Sequence, residues 1–187
     1  TLKAATLAPL TELEKIALPA TLAVVEDNAF AANTKLQWAD FAECTKENVL
    51  TRNNIGRLGF NQHTLIYAPK NFTAKGLTNV VYGSEGNLKC DRFTISDNAD
   101  YAVPREFKAA AISYNRLFKQ GETTTLCLPF DMELPTGFKA YTLDDEQGDA
   151  VVVVKANSIE AGKPYFVITD EDMTLGTQVE TTVTVAP

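Results

Sequence analysis

One histidine, one tryptophan and three cysteines in 187 residues leave little of the usual material of catalysis and metal binding. A Ser-His-Asp or Cys-His site would have to use His63. That residue stands in NQHTLIY, at the entrance to a strand-like run, and reads as an exposed or capping polar group. No Cys and His cluster has zinc-ligand spacing, and no cofactor is expected. Cys44, Cys90 and Cys127 are too few for a disulfide framework, and no C-x-x-C occurs. Cys127, within TTTLCLPF, is expected to be a small buried hydrophobe. The phosphate-binding and nucleophile motifs G-x-G-x-x-G, G-x-x-x-x-G-K-[ST] and G-x-S-x-G are missing as well. The expectation is a protein that is not an enzyme.

Positive charge is also short. Lys+Arg number 17 against 24 Asp+Glu, a net charge of -7, which disfavours nucleic acid or an anionic membrane as partner. No apolar run approaches the roughly 20 residues of a membrane helix. The chain opens TLKAATL without Met and is expected to be a mature or trimmed piece, so the missing signal peptide says nothing of secretion. What is present is the balance of a folded protein, 45% hydrophobic and 22% charged, long enough for a sizeable core.

The apolar residues keep a long period. Residues 6–13 (TLAPLTEL) align with 29–36 (AFAANTKL), placing Leu7 on Phe30 and Leu13 on Leu36, 23 residues apart. Leu13, Ile16, Leu18, Pro19, Leu22 and Val25 give L-x-x-I-x-L-P-x-x-L-x-x-V. A period of 20–29 residues with this spacing marks a leucine-rich repeat, whose units bury their apolar faces by stacking. L-x-x-I-x-L-P followed by A-F resembles the repeats of BspA-like bacterial surface proteins over residues 2–41. Beyond that, two registers compete. Leu36, Ala39 and Phe41 fall on Leu13, Ile16 and Leu18, yet Phe41-Ala-Glu-Cys44 also mimics Phe30-Ala-Ala-Asn33. TLIYAP (64–69) and TNVVYG (78–83) are expected to extend the same sheet.

After about Gly83 come short β-rich runs between turn signals: DRFTIS, FKAAAISYNRLF, TTTLCLPF, GFKAYTL, AVVVVKA, PYFVIT and QVETTVTV. About seven such runs predict an antiparallel sandwich or partly closed barrel. VVVVK lacks alternation and is expected to be a central strand buried on both faces. Val179, Thr181, Val183 and Val185 are expected to share one face of the last strand. CDRFTISD, FKAAAISYNR, TLCLPF and AGKPY, in that order over residues 90–169, resemble a β-rich domain of secreted and surface proteins of gut Bacteroidetes that often follows BspA-like repeats. The two resemblances together imply a mainly β protein. Residues 1–82 would be the C-terminal part of a leucine-rich-repeat solenoid with a terminal cap, and 83–187 an antiparallel β-sandwich. They also imply an extracellular or cell-surface location, and they carry over no active site.

One constellation invites a ligand. In a leucine-rich strand the residues between buried positions point outward. With Leu36 on Leu13, Trp38 falls on Lys15 and Asp40 on Ala17; with Ile66 and Ala68 inside, Tyr67 lies outward near the same row. Lys15, Trp38, Asp40 and Tyr67 would form a strip suited to a protein hot spot or a sugar platform. The competing reading has the tryptophan cover the core where the two halves meet. Acids cluster at Asp97 and Asp100, at Asp144, Asp145, Glu146 and Asp149, and at Asp170, Glu171 and Asp172. Such oxygens suit Ca²⁺ in principle, but each cluster sits where a strand connection needs polar residues, and solvated turns are expected. The aromatics of LPF (128–130) and KPY (163–165) are expected to pack inward, and Arg116 to pair with a carboxylate or stack on a ring. The function expected is attachment or binding of a host or neighbouring-cell surface protein or glycan. The alternatives are a structural cap and spacer for a longer repeat array, and a carbohydrate-active enzyme.

Overall fold

The computed structural model describes residues 1–97, 99–147 and 150–185, and it is mainly β with several sheets. In the first half β1 (Lys15–Ala17), β2 (Trp38–Asp40), β3 (Leu65–Tyr67) and β4 (Val80–Ser84) run side by side, all parallel. Lys15 pairs with Trp38, Ile16 with Ala39 and Ala17 with Asp40, so the 23-residue offset is the pairing register. The next step pairs Trp38 with Leu65, Ala39 with Ile66 and Asp40 with Tyr67. TLIYAP and TNVVYG thus continue the sheet. The rival likeness of Phe41-Ala-Glu-Cys44 to Phe30-Ala-Ala-Asn33 is a local one. Each is a turn in which the fourth residue's N–H donates to the first residue's carbonyl, at 2.9 and 3.0 Å. Prolines help keep these strands short. Pro19 and Pro69 lack the N–H a ladder needs, and each starts a turn whose bond is accepted by its own carbonyl.

The segments between strands stack as well. Leu2 bridges Val25 in parallel, and the Phe30 N–H donates to Leu58 O at 2.9 Å. Side-chain amides, buried at Asn33 and half-buried at Asn61, tie coil to coil. Asn33 Nδ2 donates to Leu7 O and Leu10 O, and Asn61 Nδ2 to Thr34 O and Leu36 O. Between them lies a core of Leu18, Phe30, Leu36, Phe41, Leu58, Ile66 and Val80, in which the Phe30 and Phe60 rings stack at 4.3 Å.

The second half adds β5 (Asn87–Cys90), β6 (Phe93–Ser96), β7 (Phe107–Ala109), β8 (Ile112–Phe118) and β9 (Thr124–Leu126). There follow β10 (Met132–Glu133), β11 (Phe138–Gln147), β12 (Ala150–Ala156), β13 (Ser158–Ile159), β14 (Tyr165–Thr169), β15 (Met173–Thr177) and β16 (Thr181–Val183). The first sheet does not stop at residue 82. Its order is β1-β2-β3-β4-β5-β7-β16, and β4 spans that position. Two further sheets, β12-β11-β14-β9 and β15-β8-β6, and the β10-β13 pair complete the body. Their pairings are antiparallel except β6 with β8. Alternation along the shared sheet feeds two cores. Ile66 and Val80 face the first, while Leu65, Tyr67 and Val81 face a second built on Phe93, Phe107, Phe118, Phe130, Phe138 and Tyr165. The rings of LPF and KPY are therefore buried.

Three sequence expectations are corrected. VVVVK is not a central strand: β12 is the edge of its sheet, and Val153 and Val154 are 43% and 48% exposed. Cys127 is exposed because its neighbours Leu126 and Leu128 point inward, and alternation turns it out. Of the valines in the last run only Val183 is buried. Val179 and Val185 lie outside the three-residue strand β16 and are exposed.

Candidate functional site

The sheet face opposite the first core carries all four sequence-selected residues, in two rows. Lys15, Trp38 and Leu65 form one, and Ala17, Asp40, Tyr67 and Val81 the other. Exposure falls along each row. Lys15 is exposed, Trp38 and Asp40 are half-buried, and Leu65, Tyr67 and Val81 are buried. Tyr67, expected to be outward and accessible, is only 1% exposed. The reason is the segment before β7, which crosses the face above β3. Tyr67 Oη donates to Arg105 O at 2.9 Å, and the Arg105 guanidinium lies 4.4 Å over the Tyr67 ring. Its Nη2 reaches Asp40 Oδ2 at 2.7 Å, while Asp40 Oδ1 accepts the Ala42 N–H. Burial raises the Tyr67 phenol well above its ordinary value, against the lowering effect of Arg105. Trp38 packs on the margin of the second core. Lys15, Trp38 and Asp40 remain at the surface, with Arg105 beside them.

Arg105 and Tyr101 are the residues that reading the sequence missed. YAVPREF carries no repeat spacing and no motif, and nothing in it points across to β2 and β3. Tyr101 Oη accepts the Ser96 N–H and donates to Thr94 O, so its ring is fixed beside the sheet. The half-buried His63 meets it edge-on, with ring centroids 6.4 Å apart.

The other candidates resolve into structural contacts. Cys44, Cys90 and Cys127 are free thiols. Burial pushes Cys90 up to about 12 and also raises Cys44, so both are protonated at neutral pH. Asp97 accepts from Tyr114 Oη and pairs with Arg116, which also lies over the Phe118 ring. Asp170 holds Lys139, and Asp172 holds Lys119 together with the Gln120 N–H. Among the described residues no group of three or more His, Cys, Asp or Glu is placed to hold a metal ion. Asp149 lies outside the described residues, as do the side chains of Asp145 and Glu146.

A groove of about 550 Å³ opens at the far end of the strands, between the turns after β2 and β3, lined by Glu43, Lys46, Arg52, Lys70 and Phe72. Compared with protein-family models, with curated proteins and with solved structures, the chain finds no match.

Proposed function

We propose that this chain is a non-enzymatic extracellular binding module: the end of a leucine-rich-repeat solenoid of the BspA-like type joined to a C-terminal β-sandwich, attaching to a protein or glycan of a host or neighbouring cell. The parallel ladder, with register steps of 23 residues from β1 to β2 and 27 from β2 to β3, and its stacked return segments support the repeat reading. The observation that carries the binding reading is the open end of the sheet face. There Lys15 and Trp38 stand in one row on adjacent strands, beside an Asp40–Arg105 pair. An aromatic with charged neighbours is the composition of an interface hot spot. Tyr67, buried under Arg105, supports the platform from below and makes no ligand contact.

The test is capture of immobilised mucin-type glycoprotein, before and after enzymatic removal of its glycans. Trp38→Ala is expected to weaken capture by about tenfold or more while moving the urea midpoint little. Dependence of capture on the glycans separates a sugar ligand from a protein one. Unchanged capture with a large loss of stability would make Trp38 a core residue and end the binding reading.

A second reading, cap and spacer of a longer array, is favoured by a different observation. The first coil keeps Leu10 51% and Val24 46% exposed, and β1 is a free edge of its sheet. A further stacked unit would cover both. Under that reading, fusing an added repeat ahead of β1 raises stability and Trp38→Ala changes no binding.

A further inference from the structure

We infer that β12 is an intermolecular edge, pairing antiparallel with β12 of a second copy of this chain about a two-fold axis at Val153. The strand runs seven residues, AVVVVKA, and ends the sheet order β12-β11-β14-β9. Its outer side has no strand partner among the described residues. Val153 and its cross-strand neighbour Leu143 (61% exposed) are bare on one face, and Val154 on the other. Natural sheets blunt such edges with proline, lysine, shortness or a cover. The opposite edge of this sheet, β9, has only three residues. By contrast β12 is long, has no proline, and carries one charge, Lys155.

Charge placement selects the occupant. With Val153 on the axis, Lys155 stands opposite residue 151 of the second copy, which its own chain pairs with position 146. Asp144, Asp145 and Glu146 occupy that stretch of β11. By register alone, the only cation of each edge is thus placed at the acid-rich end of the other copy's β11, and the two-fold axis repeats that placement. A parallel arrangement would instead bring the two lysines together, which is unfavourable, and would not close at two copies. Pairing a seven-residue edge buries little area, so the dimer is weak and concentration-dependent.

The test uses the chain carrying Cys127→Ser, which removes the exposed thiol. Sedimentation equilibrium from about 1 μM to 1 mM is expected to show a monomer–dimer equilibrium. Adding Val153→Cys should give a disulfide-linked dimer on mild oxidation, because directly opposed residues of an antiparallel pair lie within disulfide reach. Val179→Cys, equally accessible, should not cross-link. Val153→Lys with Val154→Lys is expected to abolish the dimer without lowering the melting temperature, since both valines are already solvent-facing. Lys155→Glu is expected to weaken it about tenfold. A monomer at every concentration, equal cross-linking at position 179, or a dimer that survives the double lysine variant would each overturn the inference.

Discussion

Arg105 fastens the two halves of the chain through three contacts, two from its guanidinium and one from its backbone carbonyl. It binds Asp40 at 2.7 Å, lies on the Tyr67 ring, and offers its carbonyl to the Tyr67 hydroxyl. The pair is part-buried, so it is less screened than a surface ion pair but still loses hydration. In a double-mutant cycle of Asp40→Ala and Arg105→Ala, read by urea denaturation, a coupling of about 1 kcal/mol is expected. Zero coupling would reduce the contact to coincidence. Asp91 offers a pH handle. The Tyr82 hydroxyl at 2.6 Å is the main cause holding its carboxyl below the ordinary value, and the Gly76 N–H at 2.6 Å adds to it. The same bond pushes Tyr82 up to about 12. Because the folded value of Asp91 is depressed, its contribution is present above the unfolded carboxylate range and is lost as pH falls through the folded value. Asp91→Asn should therefore lower stability at pH 7 by about 1 kcal/mol and flatten the decline below about pH 4; parallel pH profiles of the two proteins would refute the assignment. None of this was legible in the sequence. Asp40 and Arg105 are 65 residues apart, Tyr67 and Arg105 are 38, and no periodicity links them.

At the scale of elements the sequence was more informative. An offset between like residues carries information about register: of the two registers the sequence leaves open, the one with Leu36 on Leu13 sets Trp38 on Lys15 and Asp40 on Ala17, and it is the one the sheet pairs. What it could not give was the neighbour of a strand. The run VVVVK is apolar whether two strands flank it or one, and β12 has one. Nor did the spacing expose the role of the recurrent asparagines. Asn61 is fully engaged: its Oδ1 accepts from the N–H and hydroxyl of Thr64, and its Nδ2 reaches back to the preceding coil. Asn33 makes the backward bonds, at 3.1 and 2.7 Å, but its buried Oδ1 has no partner. The donor side is therefore what holds the first coil. Asn33→Ala would remove both bonds, leaving the carbonyls of Leu7 and Leu10 only the turn N–H groups of Leu10 and Leu13, and is expected to cost about 1 kcal/mol. Amide exchange of the coil containing Leu2, Leu7 and Leu10 should accelerate more than that of β11. Uniform acceleration would mean that the coil is not held locally.

For the whole molecule, the shared sheet decides how the chain comes apart. Each of the strands β3 and β4 turns one face to the first core and the other to the second. Leu65 and Tyr67 alternate with Ile66, and Val80 is followed by Val81 on the opposite face. Melting the second core would strip its cover from Leu65, Tyr67 and Val81, which together with their unpaired neighbours could not stay folded in water at a cost the first core can bear. The first core in turn supplies the ladder on which β5 and β7 are built. Unfolding is therefore expected to be one cooperative transition despite the change of sequence rhythm near residue 83. Trp38, the only tryptophan, reports on the open end of that sheet, and far-ultraviolet circular dichroism reports chiefly on the strand-rich second half. Their urea transitions should share one midpoint and one slope. Two separated transitions, with the tryptophan signal persisting after the strand signal is lost, would show that the repeat segment stands alone and that the Arg105 fastening is dispensable.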